Sequence, residues 1–378
     1  MTDVSLTQPA DSGDAPSNGA SAATPGGPPR EGETRRGLFY PLAQWSPEPG
    51  TLHEIADGVH WLRMPMPFSL DHINLWVLDG GDDGWTLVDT SIPASSCKDV
   101  WRKVLQGLLA EKPVTRLICT HYHPDHIGLA GWLAKKTGAE FVMTRTEYLT
   151  ARMLMSDQRD EPPVEALRFA EKAGYSDALL DKMRRDGWGR FAQSMYPLPD
   201  SFTRIADGDE LRIGARTWRI VTGSGHTPEH ACLVDDAGKL MISGDQVLPR
   251  ITSNISVHQT EPLANPLGDW LDSIQKLRSL PDDLLVLPAH GFPFRGLHER
   301  LRQLEEDHLH KLEMLRRFLG EKPRQALETF DVLFGRTISE GETGMAMGEA
   351  IAHLRWLEDR NQAVRAEREG EADLWRAA

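Results

Sequence analysis

His121-Tyr122-His123-Pro124-Asp125-His126 decides how this chain is read. Three imidazoles and a carboxylate fall within six residues, directly after Val114-Thr115-Arg116-Leu117-Ile118-Cys119, an apolar run that reads as a short buried strand. Histidines two apart in a tight or extended loop can converge on one metal ion. Asp125 and His126 then face a second position beside it. Imidazole nitrogen and carboxylate oxygen together suit Zn2+, and less exclusively Fe or Mn. A solvated His-rich loop is the alternative, and the rest of the sequence weighs against it.

Four further polar elements stand at the ends of apolar, β-like runs: Val88-Asp89-Thr90, Ser224-Gly225-His226-Thr227-Pro228-Glu229-His230, Ser243-Gly244-Asp245 and Pro288-Ala289-His290-Gly291. Strand ends are where layered α/β proteins assemble sites from distant sequence. Further out, residues 58–63, 73–78 and 85–89 have strand character, with the turn cluster Gly80-Gly81-Asp82-Asp83-Gly84 between the last two. Residues 97–109 and 128–137 have helical spacing and 140–143 reads as a strand, so an α/β layered core is expected. Residues 145–196 carry apolar positions at helical spacing and almost no β signal, which predicts a helical insertion. It is expected either to cover the site, with Met153, Met155, Phe169 and Trp188 along an apolar channel, or to serve in packing or dimerisation. Strand signals return at 218–221, 231–234, 240–243 and 284–287. A long amphipathic helix is expected over 297–319, shorter helices over 324–334 and 344–359, and a hairpin around Gly370. Helices followed by a hairpin suggest a small winged-helix-like domain.

The chain has 378 residues, enough for two domains or for one large domain with an appendage. Its net charge of −14 disfavours non-specific binding to nucleic acid or anionic lipid. Cys97, Cys119 and Cys232 are odd in number and form no CxxC pair, which argues against a disulfide framework and for a reducing compartment. No apolar run approaches the roughly 18 residues that span a bilayer. No basic segment followed by an apolar one reads as a signal peptide, so a soluble, cytoplasmic protein is expected. Residues 1–36, rich in Ala, Ser, Gly, Pro and Asp, read as a disordered tail. The expected division is this tail, a catalytic domain over 37–296 containing the insertion, and a C-terminal domain over 297–378.

Taken in order, these motifs closely resemble the metallo-β-lactamase superfamily. The resemblance covers about residues 52 to 295 and implies an αβ/βα sandwich with two metals, zinc by preference, at one edge between the sheets. It implies that His121, His123 and His226 bind the first metal, that Asp125, His126 and His290 bind the second, and that Asp245 bridges them. Asp89 would hold a ligand or loop in place, and His230 would be structural. A bridging carboxylate holds two cations about 3.5–4 Å apart, and water shared between them loses a proton near neutral pH. The resulting hydroxide is a nucleophile that needs no serine or cysteine. Asp125 is a candidate for proton relay as well as a ligand. His53, His60, His72, His258, His298, His308, His310 and His353 read as ordinary polar histidines. The stretch 251–257 is expected to be either a pocket wall, with Asn254 reaching substrate, or an edge strand.

The expected reaction is hydrolysis of a small-molecule ester or thioester. The Gly225-His226-Thr227-Pro228-Glu229-His230 element is similar to that of glyoxalase II except for Glu229 in place of glycine, which leaves acyl-glutathione and acyl-CoA both open. An endoribonuclease of the β-lactamase-like protein 2 type is the alternative, and so is a lactonase. The acids Glu328, Asp331, Glu340, Glu342, Glu349 and Glu358 outnumber bases in the C-terminal region, against an RNA-binding footprint. A homodimer is compatible with the sequence.

Overall fold

The structure, a computed structural model, describes residues 31–68 and 70–378. Up to residue 30, the expected tail therefore lies outside the described residues. Within 31–36 the structure differs from the expectation: β1 (Glu33–Arg35) pairs antiparallel with β2 (Leu38–Tyr40). The hairpin is held because Leu38 and Tyr40 are buried in a core shared with later helices, and Phe39 exchanges backbone hydrogen bonds with Arg295.

Seven strands form the first sheet in chain order: β3 (Leu52–Ala56), β4 (Val59–Pro65), β5 (His72–Asp79), β6 (Trp85–Val88), β7 (Val114–Ile118), β8 (Glu140–Thr144) and β9 (Thr203–Ile205). Strands β3 to β6 are antiparallel, and β6 to β9 are parallel. Parallel neighbours need a crossover. The crossovers are α1 (Ser95–Gln106), then α2 (Pro124–Ile127) with α3 (Ala130–Thr137), then α4 (Arg145–Ser156), α5 (Val164–Ala173) and α6 (Asp177–Asp186). The last three helices are the expected insertion.

The second sheet is β10 (Glu210–Ile213), β11 (Arg216–Gly223), β12 (His230–Asp235), β13 (Leu240–Gly244) and β14 (Leu285–Pro288). It is antiparallel except for the parallel pair β13–β14, joined through α7 (Pro266–Leu277). The chain continues through α8 (Leu297–Glu321), α9 (Phe330–Phe334) and α10 (Thr343–Asp359) to a hairpin of β15 (Ala363–Ala366) and β16 (Leu374–Ala377). This gives the expected helices followed by a hairpin.

The pleat sends successive side chains to opposite faces, and the cores follow it. Ile118 and Ile220 join Trp61, Trp76 and Trp218 in a core between the two sheets. Their neighbour Leu117 packs outward with Trp101 of α1 and Leu133 of α3. Val221 packs outward on the other side with Trp270 of α7, Leu301 of α8 and Leu354 of α10. The layers are thus helix, sheet, sheet, helix, and the C-terminal helices share one core with the second sheet. Helix α5 also reaches the C-terminal hairpin: Asp373 N donates to the Lys172 carbonyl at 2.9 Å, and Lys172 Nζ donates to the Glu371 carbonyl at 3.2 Å. The three cysteines are free and buried. Among the described residues, no helix is long and apolar enough to cross a membrane.

Candidate metal centre

The ends of several strands meet at one rim of the sandwich. The loop after β7 carries His121 and His123, and α2 carries Asp125 and His126; the β11–β12 turn carries His226; Asp245 follows β13, and His290 follows β14. The structure brings all seven together. One atom each from His121, His123 and His226 lie within 4.8 Å of one another, as do atoms of His121, His126 and Asp245, and of Asp125, His126 and His290. Asp245 sits between the outer groups. Its Oδ2 is 3.6 Å from His226 Nε2, and its Oδ1 is 3.5 Å from His126 Nε2 and 3.4 Å from His290 Nε2.

Three of the imidazoles are held from behind. His126 Nδ1 bonds Asp89 Oδ2 at 2.8 Å, His226 Nδ1 donates to the Asn254 carbonyl at 2.7 Å, and His290 Nδ1 donates to the His72 carbonyl at 2.8 Å. These bonds fix which nitrogen faces inward. Asp89 also accepts from Thr120 N at 2.8 Å, so it fixes both a ring and the start of the loop. The inward atoms are the reverse case: Asp125 Oδ2, His126 Nε2, His226 Nε2, Asp245 Oδ1 and His290 Nε2 are buried and make no hydrogen bond. Leaving one buried polar atom unpaired costs about 1–3 kcal/mol. Five gathered around Asp245, all nitrogen or carboxylate oxygen, fit divalent cations.

The electrostatics are set by the close packing of these rings and carboxylates. Burial and the neighbouring imidazoles hold His121 well below the usual histidine range, in its neutral form. Burial opposes charge on His126, but Asp125, Asp245 and Asp89 outweigh it and push the pKa well up. Burial likewise opposes charge on Asp245, and His290 and His126 overcome it and hold the carboxyl well below its usual value. The pocket therefore gathers negative charge on its carboxylates and compensates it within itself.

The role expected for His230 has a clear form here. Its Nε2 accepts from Asp245 N at 3.0 Å, and its ring stacks on His121 with centroids 4.7 Å apart. Gly244 must be glycine for this: its φ is +51°, and a Cβ would come within 2.5 Å of the His230 ring.

Three residues at the site were not singled out for it from sequence. Glu147 of α4 is buried, and its carboxylate accepts from Tyr122 N at 3.0 Å and from Glu229 N at 2.7 Å, clamping the two histidine loops together. Glu229 answers by accepting from Thr146 N at 2.8 Å at the first turn of α4, so the departure from glycine at 229 has a structural use. Asn74 donates from Nδ2 to the Pro288 and Gly291 carbonyls, each at 3.0 Å, and so ties β5 to the His290 loop. His72, read as an ordinary histidine, supports His290 through its carbonyl and accepts from Gly291 N at 2.9 Å; burial takes its pKa down to about 4. The available signals were an Asn inside an apolar strand run and an acid at a buried helical position.

A cleft opens beside His226, Asp245 and His290. Of the two expectations for the insertion, covering the site or packing, the first is not seen at this cleft, whose lining comes from Leu70, the loop 248–254 and the C-terminal helices. Met153 is exposed, Met155 packs in the outer core of the first sheet, Phe169 packs against the C-terminal core, and Trp188 donates to Asp157. Insertion helix α4 instead serves the site through Glu147. Residues 251–257 form an irregular wall with no strand, and the Asn254 side chain turns to Glu349 at 3.0 Å while its carbonyl holds His226.

Comparison with known proteins agrees with this geometry. A family profile described as the metallo-beta-lactamase superfamily matches residues 69–290, and one described as a metallo-beta-lactamase-like C-terminal domain matches residues 312–377. A solved structure of a beta-lactamase domain protein from Burkholderia ambifaria is 39% identical, covers 90% of this chain and 98% of its own, and superposes with a TM-score of 0.83. A metallo-beta-lactamase family protein from Thermus thermophilus shares the fold at 23% identity, with a TM-score of 0.70 over 86% of this chain and 100% of its own. Among curated proteins, the chain is 24% identical over 317 residues to "Probable metallo-hydrolase YqjP" of Bacillus subtilis, covering 80% of this chain and 93% of that protein. It is 23% identical over 266 residues to "Acyl-coenzyme A thioesterase MBLAC2" of Homo sapiens, covering 68% and 86%.

Proposed function

The chain belongs to the metallo-beta-lactamase superfamily and is a metallo-hydrolase of that family, and from this premise we propose that it cleaves an acyl thioester, of acyl-CoA or acyl-glutathione type, at a dinuclear zinc centre. The observation that carries the reading is the convergence of five buried, unbonded donor atoms on Asp245 and its neighbours. His121, His123 and His226 would hold one ion and Asp125, His126 and His290 the other, with Asp245 between them. When bound, such a pair polarises a carbonyl oxygen and lowers the pKa of water.

The chain's own residues do the rest. Asp89, Asn254 and the His72 carbonyl keep the ring nitrogens aimed inward. Asp125, whose Oδ2 lies 3.3 Å from His290 Nε2 on the side where an ion would sit, would keep its second carboxylate oxygen as the candidate to hold a proton as the thiolate leaves. Leu70 and the C-terminal helices wall the cleft and limit water. The proposed domain division keeps 37–296 as the catalytic part and 297–378 as the part that completes its cleft.

The test is thiol release by the zinc-loaded protein from matched acyl-CoA and acyl-glutathione thioesters, with a lactone and a single-stranded RNA in parallel. Thioester turnover well above the other two is the expected result, and the ratio of the two thiols names the leaving group. RNA cleavage with inert thioesters would overturn the reading. An Asp125→Asn variant is expected to keep metal and lose turnover, checked by metal analysis beside the same assay.

A further inference from the structure

The wall of the cleft facing the metal centre belongs to the C-terminal region. It is built from Lys311 of α8, Leu333 and Phe334 of α9, Ile338 of the next loop, and Met345 and Ala346 of α10. Leu70 meets it from the β4–β5 loop. Apolar side chains dominate this surface, and the charged groups among them are answered from within the protein. Lys311 pairs with Asp307 at 2.9 Å and lies 4.0 Å from Glu349. Glu349 in turn accepts from Asn254 Nδ2, and burial shifts its carboxyl upward, toward the neutral acid. Arg336 pairs with Glu342 at 2.9 Å, and Glu342 also accepts from Ser339 N at 3.0 Å, which pins the loop that carries Ile338.

Away from the inward atoms of His226, Asp245 and His290, a ligand group entering this space meets no unanswered charge. A charged terminus would give up its hydration and find no counter-ion, which is unfavourable. An apolar chain would be drawn in by the area it removes from water, about fourfold in affinity for each methylene buried. The cleft is continuous with His226, Asp245 and His290, so whatever fills it is attached to the group presented to those residues.

We infer that this cleft is an acyl subsite, built by the C-terminal region, that takes an uncharged apolar acyl chain and rejects one ending in a carboxylate. The inference rests on the hydrolase reading above and gives it a substrate class.

Binding can be read apart from turnover. Octanoate and octanedioate are titrated into the zinc-loaded protein by calorimetry, with Ala346→Trp to fill the cleft and Ile338→Lys to place a cation on its half-exposed loop. Octanoate is expected to bind at least about tenfold more tightly than octanedioate, from its buried methylenes alone. Ala346→Trp is expected to abolish most of that affinity with bound zinc unchanged, and Ile338→Lys to shift preference toward the diacid. Equal affinities for the two acids, or affinities indifferent to both variants, would overturn the subsite. Thioester turnover with that outcome would leave the proposed function standing without the subsite. Octanoate binding that follows the variants, with thioesters inert, would keep the subsite and remove the proposed reaction.

Discussion

Asp245 lies within 3.6 Å of nitrogen atoms from His226, His126 and His290, which the proposed ligand set divides between two metal positions. Asp245→Ala is therefore expected to lose metal at both positions together and to abolish turnover, measured as metal per protein beside thiol release. Near-normal turnover would sink the dinuclear reading. Glu147→Ala leaves two buried N–H groups, of Tyr122 and Glu229, without their acceptor. It is expected to weaken metal binding by about tenfold to a hundredfold, the range seen when support behind ligands is removed, with Glu147→Gln between it and the parent in a chelator competition. The seven inward-facing residues were legible in the sequence because each carries its own donor and four of them sit within one short motif. Glu147, Asn74 and His72 were not, because they act on backbone groups far along the chain: Asn74 reaches Pro288, 214 residues away.

Between α8 and α10, His308 Nδ1 faces His353 Nε2 at 3.3 Å, both rings buried. Burial brings His353 down to about 4 and His308 well below its ordinary value. Unfolded, both would titrate near 6.5, so between 6.5 and about 4 the unfolded chain binds more protons than the folded one. Stability contributed here is intact above 6.5 and is lost as pH falls through that window. With His353 brought down to about 4, the loss by pH 4 is on the order of a few kcal/mol. A His308→Gln, His353→Gln double variant should flatten the decline of Tm between pH 6.5 and 4, and an unchanged slope would exclude the pair as its source. Most elements with an alternating or helical apolar pattern were read from β4 to the C-terminal hairpin, but the short strands β9 and β10 were passed over. Helix α7 was passed over although Asn265 caps it, accepting from Gly268 N at 3.1 Å, with Pro266 in its first turn. The insertion was read as helical, but its contacts could not be: which face of a helix meets which neighbour is set by tertiary packing.

At the scale of the whole molecule, the insertion divides into two jobs. Helix α4 carries Glu147 to the metal loops, while α5 reaches across to the C-terminal hairpin. Arg159 and Trp188 exchange backbone hydrogen bonds at 3.0 and 3.3 Å and form a neck between the two parts. Replacing residues 160–187 by a short turn is expected to leave bound metal near the parent level, because Glu147 stays, and to raise KM as the C-terminal region loses its strap. Loss of metal in that variant would mean that the arm supports the centre itself. The strap also sets an order in time. All of the candidate ligand side chains are made by residue 290, but the far wall of the cleft starts at Lys311, and the Glu371 carbonyl that receives Lys172 lies 199 residues after it. Contacts of such separation form late. A growing chain thus holds every candidate metal donor in its sequence before the residues that would choose a substrate have been made.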